Sequence, residues 1–123
     1  MGNYRTDTRP KEMSTILLEN RIIQLVGEVN DIVAYQVCSA LLVLDEEDSK
    51  KPIQLFINSP GGSIHAGLAI IDTMNFVKAP VYTIVTGLAA SMGAAILSAG
   101  EKGHRMALPN ASIMLHQASS GDQ

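Results

Sequence analysis

Twice in this chain the same order of signals recurs, 28 residues apart, each time opened by a proline (Pro52, then Pro80). After Pro52 come the apolar run Ile53–Ile57, a glycine turn at Asn58–Gly62 and a helical segment Ser63–Lys78 carrying Leu68, Ile71 and Met74. After Pro80 come Val81–Val85, a glycine turn at Thr86–Ala90 and the small-residue segment Ser91–Gly100. β-Branched apolar runs suit buried strands, and glycine supplies the tight turns that feed the following helices. A strand–turn–helix unit repeated in tandem places neighbouring strands parallel, because each helix carries the chain back to the start of the next strand. The feature therefore confines the chain to the α/β class with a mostly parallel sheet.

The flanking segments extend this scheme. Ile16–Leu18 and Ile22–Val26 are short apolar pieces separated by Glu19-Asn20-Arg21, and the second reads as a strand ending at Gly27. Asn30 or Asp31 caps a helix over Ile32–Asp45, with Val33, Val37, Ala40, Leu41 and Leu44 on one face, closed by the charged run Asp45–Lys51. Arg105–Leu108 and Ser112–His116 read as two more strands, joined by the turn Pro109-Asn110. Ser119–Gln123 is polar and carries no core signal.

Composition narrows the function classes. With 123 residues, 46% hydrophobic and 17% charged, the chain suits one globular domain. The abundance of Ala, Gly and Ser in the second half, with 4% aromatic residues, suits close backbone packing or a large subunit interface. A net charge of −3 offers no basic patch, so nucleic acid is not an expected partner. Cys38 has no second cysteine to pair with and reads as helix core in a reducing, cytoplasmic setting. The polar segment Met1–Met13 lacks the apolar stretch of a secretory signal. Met1-Gly2-Asn3-Tyr4-Arg5-Thr6 fits the loose myristoylation pattern, and Asn110-Ala111-Ser112 fits a glycosylation sequon; both are short enough to arise by chance. Ala79–Gly100 holds no charge and is long enough to span a bilayer, yet Pro80, the β-branched cluster and the glycines at 87 and 93 describe a buried strand, turn and helix instead.

The second unit also carries chemistry. Ala89-Ala90-Ser91-Met92-Gly93 differs from the Gly-x-Ser-x-Gly elbow only in its first place, and an elbow between strand and helix thrusts a serine hydroxyl out of the sheet. Ser91 is then a nucleophile, His116 at the end of an apolar strand its base, and the N–H groups of Gly62 and Met92 the donors for an oxyanion. Each part has a plainer reading: Ser91 as a helix cap, His116 as a satisfied rim histidine, and Asn58–Gly62 as a simple strand-to-helix turn. His65 and His104 lack an acidic partner in sequence and read as exposed. No His-Glu-x-x-His pattern points to a metal, and Gly61-Gly62 is not followed by the Gly-Lys-Ser/Thr of a phosphate loop. Any ATP would have to be handled by another subunit.

Ile57–Ser63, Gly67–Ile70 with Asp72-Thr73-Met74, Gly87–Gly93, Ala99–Gly103, Ala107–Asn110 and Met114–Gln117 together closely resemble the proteolytic subunits of the caseinolytic (Clp) protease family. The resemblance runs from about residue 16 to 117. It implies a crotonase-like spiral of β-β-α repeats, with 1–15 as a polar segment lining an axial pore and 16–123 as the head domain. It implies a serine endopeptidase using Ser91 and His116, with Gly62 and Met92 as oxyanion donors, that cleaves unfolded polypeptides inside two stacked heptameric rings, homomeric or mixed with a paralogue. An AAA+ unfoldase would consume the ATP, and this chain would hold no cofactor. Phe56 and Phe76 would contribute to the apolar pocket that receives the unfoldase's docking loop.

Departures from the pattern are also legible. Members of the family continue well past the histidine into a handle helix and the aspartate of the triad, whereas this sequence ends at Gln123, and Asp122 is too near His116 to be that aspartate. Ala118 stands where the family usually has proline, and Ser119-Ser120-Gly121 replaces a more apolar start to the handle. The working expectation is a fragment of a full-length protease, the alternative a short paralogue acting as a non-catalytic ring subunit. An acyl-CoA hydratase or hydrolase on the same fold is a further alternative, against which the elbow serine argues.

Overall fold

The computed structural model describes residues 11–115. The elements run α1 (Met13–Glu19), β1 (Ile22–Val26), α2 (Asp31–Glu47), β2 (Ile53–Ser59), α3 (Ile64–Phe76), β3 (Val81–Ala90), α4 (Met92–Ser98), β4 (Arg105–Ala107) and β5 (Ser112–Met114). All the strand pairs are parallel, in the order β1-β2-β3-β4, with β5 also pairing with β3. The 28-residue repeat reappears as register: Ile53 faces Val81 and each pair keeps that offset through Ile57 and Val85. Consecutive parallel strands joined by right-handed crossovers place their helices on one face of the sheet. Alternate strand residues confirm it, since Ile23, Leu25, Ile53, Leu55, Ile57, Val81 and Val85 share one buried cluster with Val37, Leu41, Leu44, Ile70, Met74 and Ile96 from the helices. On the opposite face Gln24, Gln54 and Val26 are exposed and Phe56 is half-buried. No helix among the described residues is long and apolar enough to cross a membrane.

Several expectations shift. Thr86–Ala90 is not a turn: β3 continues through it, because Gly87, at φ 72°, forms a bulge after which pairing resumes at Ser59 and Ala89. The segment expected at Ser91–Gly100 is helical only over Met92–Ser98. Leu68 is exposed, because α3 buries Ala66, Gly67, Ile70 and Met74, the first two being small residues in its first turn that bring the helix close to its neighbours. The two last strands are shorter than Arg105–Leu108 and Ser112–His116, and Met106, Leu108, Ile113, Met114 and Leu115 are exposed. Residues 1–10 of the expected axial segment lie outside the described residues.

Arg21, read from the sequence only as part of a polar separator, is a structural clamp. It adopts φ 62°, and its guanidinium donates to four carbonyls: Pro52 (3.1 Å), Leu44 (3.0 Å), Asp48 (2.7 Å) and Lys51 (2.8 Å). These lie in the last turn of α2, where the Leu44 carbonyl also accepts from Asp48 N–H (3.1 Å), and along the loop into β2. Asp48 tightens the same loop by accepting from the Lys50 N–H, which holds its carboxyl below the usual carboxylate value. Replacing Arg21 by Met, which keeps the apolar stem, lowers unfolding free energy by about 2 kcal/mol. Urea denaturation of the full chain checks this, and an unchanged midpoint would show that the clamp is idle.

Candidate active site

Because β2 and β3 run parallel, both strands end at the same edge of the sheet, and the segments that follow them lie side by side. After β2 the chain passes through Gly61 (φ 105°) and Gly62 (φ 150°), conformations that a side chain strains to adopt. The turn is tied to the loop after β1: Val29 N–H donates to the Gly61 carbonyl (2.9 Å) and Ser63 N–H to the Val29 carbonyl (2.8 Å). A Cβ at Gly62 would collide with the Val29 carbonyl, and one at Gly61 would stand 2.9 Å from Ser91 Cβ and 3.0 Å from the Ala90 carbonyl oxygen. The glycines are what allow the two turns to touch.

Ser91 follows β3 with φ 55° and ψ −120°. For a residue with a Cβ this conformation costs on the order of 1–3 kcal/mol and persists only where its surroundings enforce it. They do so here through the backbone. The Ser91 N–H donates to the Met114 carbonyl (2.9 Å), and its own carbonyl accepts from Ala94 (3.0 Å) and Ala95 (3.1 Å). Although Ser91 occupies the N-cap of α4, its side chain caps nothing, whereas Asn30 and Ser63 accept from Val33 and Ala66 in the ordinary way. The helix-cap reading of Ser91 therefore fails. The residue is exposed.

The first turn of α4 is seated from two sides. Met92 packs its side chain where a Cβ on Gly67 would go, and Gly93 lies against the Ser59 carbonyl, which would be 2.9 Å from a Cβ there. Among the described residues neither the Gly62 N–H nor the Met92 N–H donates to a protein acceptor. Met92 follows Ser91 directly, and Gly62 follows Gly61, which packs against Ser91, so both groups belong to the two turns that meet at the serine.

The structure does not bring every expected residue together. His116 lies outside the described residues; β5, the strand before it, pairs Met114 with Ala90. Phe56 stands in the middle of β2 on the sheet face away from the helices, while Phe76 is 76% exposed at the end of α3, so the two do not share a pocket within one chain. His65 and His104 are exposed, as expected, and the His104 ring stacks on Tyr82 with centroids 4.0 Å apart. Two residues that sequence reasoning treated only as turn formers hold the site from below. Ser59 Oγ accepts from Gly61 N–H (3.1 Å), and Asn58 Oδ1 accepts from Leu88 N–H (3.2 Å).

The family model for Clp protease matches residues 5–123. The chain belongs to the Clp protease family. Among curated relatives in the Clp family, an ATP-dependent Clp protease proteolytic subunit of Leuconostoc citreum (strain KM20) is 54% identical over 110 residues, covering 89% of this chain and 55% of the relative. Subunits of the same name from Ligilactobacillus salivarius (strain UCC118) and Streptococcus pneumoniae (strain 70585) are each 55% identical, over 115 and 113 residues. They cover 94% and 92% of this chain and 58% of each relative. The chain thus spans little more than half the length of these Clp subunits. Nothing in these matches supports the acyl-CoA hydratase alternative.

Proposed function

We propose that this chain is the head portion of a serine endopeptidase subunit that cleaves unfolded polypeptides. The observation that carries the reading is Ser91, strained, exposed and uncapped, with the Gly61-Gly62 turn pressed against it. In this reading Ser91 Oγ attacks the scissile carbonyl carbon as His116 accepts its proton. The oxyanion receives the N–H groups of Gly62 and Met92. His116 then returns the proton to the leaving amine, and water releases the acyl group by the reverse sequence. No aspartate of this sequence is assigned to orient His116.

The family supports a wider setting. An AAA+ unfoldase supplies substrate and consumes ATP, this chain holds no cofactor, and the subunits stack as two heptameric rings in the cytoplasm. The exposed apolar residues on α2 (Ile32, Tyr35, Leu42, Val43) suit burial against neighbouring subunits, and Phe56 and Phe76 suit a docking pocket assembled from more than one chain. The test is degradation of an unfolded protein by the assembled full chain with a Clp-type AAA+ unfoldase. ATP-dependent loss of substrate, blocked by a serine-directed inhibitor, is expected; ring assembly with no cleavage would favour the non-catalytic ring subunit.

A further inference from the structure

The two repeated units differ in one respect that bears on Ser91. From Ile53 to Ile57 the partners in β2 and β3 keep a constant offset, Ile53 facing Val81 and Ile57 facing Val85. The next pair is Ser59 with Ala89, so β3 takes four steps while β2 takes two. An excess of two residues leaves every side chain on its original face, because strand side chains alternate with period two. It changes only how far along the sheet each residue lies. Without the bulge Ser59 would face Gly87, and Ser91 would stand two residues, roughly 6–7 Å, beyond its present level. Gly61 could not then pack against Ser91 Cβ. The bulge is what brings the serine level with the glycine turn.

The same bulge has one side-chain tie to β2. Asn58 lies between the paired residues Ile57 and Ser59, and its Oδ1 accepts the Leu88 N–H at 3.2 Å. Gly87 lies directly against it, since a Cβ there would be 2.7 Å from Asn58 Oδ1. The backbone of Asn58 meanwhile stays in the sheet, its carbonyl accepting from Gly27 N–H at 2.9 Å. The side chain supplies the acceptor that a regular ladder would have supplied from the main chain.

We propose that Asn58 is a positioning residue for Ser91, setting through the β3 bulge the level at which the nucleophile meets the Gly61-Gly62 turn. The proposal rests on the reading of Ser91 as nucleophile. The bond made by the Asn58 side chain is to Leu88, three residues before the serine. Its effect passes along Leu88, Ala89 and Ala90 to the elbow, where a displacement of about 1 Å is enough to cost up to 10²-fold in rate.

The test compares Asn58→Ala and Asn58→Asp with the parent in the assembled full chain, using a fluorogenic peptide and a fluorophosphonate probe. Asn58→Ala removes the acceptor at an exposed site; Asn58→Asp keeps an oxygen in its place. Expected for Asn58→Ala is a fall of about 10- to 100-fold in kcat and a parallel fall in the rate of Ser91 labelling, with KM changed little and assembly retained. Asn58→Asp restores most of both rates. Parent-like labelling and turnover in Asn58→Ala would overturn the proposal, as would an equal loss in both variants, because the lost group would then not be the acceptor. Failure of the parent itself to label at Ser91 would overturn the nucleophile reading instead, which keeps the two failures distinct.

Discussion

Ser91→Ala lowers peptide turnover by the assembled protein about 10⁶-fold, the scale of losing a triad nucleophile, while the protein stays folded. The retained fold follows from the surroundings of Ser91. The hydroxyl makes no capping hydrogen bond, so its removal leaves no buried partner unsatisfied. The backbone bonds that enforce φ 55°, from Ser91 N–H to Met114 and from Ala94 and Ala95 to the Ser91 carbonyl, survive the change. Steady-state kinetics with circular dichroism checks both parts. Cleavage near the parent rate would remove Ser91 from the mechanism, and loss of the fold would mean that the hydroxyl is structural after all.

Gly62→Ala has the next largest expected effect. A methyl group at this position meets the Val29 carbonyl and nitrogen at backbone that cannot rotate away, and φ 150° is strained for alanine whatever space is made. The turn must move, and its N–H moves with it. Loss of one oxyanion donor costs about 10²–10³ in kcat, so turnover falls by at least that factor while Ser91 remains chemically intact. The KM-against-kcat split is the useful readout, because a donor that acts on the developing anion affects kcat and leaves substrate binding nearly unchanged. A variant that loses only affinity would place Gly62 in substrate binding, outside the oxyanion site.

Much of the architecture could be read from local pattern. The 28-residue repeat anticipated parallel strands, and the Ile53–Val81 register shows the two repeats lying side by side in step. Asn30 was legible as a helix cap because capping depends on a residue and its next turn alone, and it accepts from Val33 as expected. What escaped depends on partners far away in sequence. Gly87 reads as a turn wherever glycine follows an apolar run, and only the Asn58 side chain across the sheet reveals that it bulges a continuing strand. Arg21 read only as part of a polar separator, because its four carbonyl partners lie 23 to 31 residues further along the chain. Leu68 looked like core because leucine usually is, yet Ala66 and Gly67 fix the rotation of α3 by allowing close approach, which turns Leu68 outward. Of the candidate site, the place of Ser91 at a tight elbow between strand and helix and the glycine turn after β2 were legible from residue types, whereas the lack of a capping bond from the Ser91 hydroxyl to α4 was not. The strain at Ser91 is held in part from β5, distant in sequence, whose Met114 carbonyl accepts the Ser91 N–H.

Intact-mass spectrometry of the assembled full chain after fluorophosphonate treatment tests the central claim most directly. The account predicts one adduct per chain, mapping to Ser91 and absent from Ser91→Ala. An adduct on another residue, or cleaved peptide with no adduct, would contradict it.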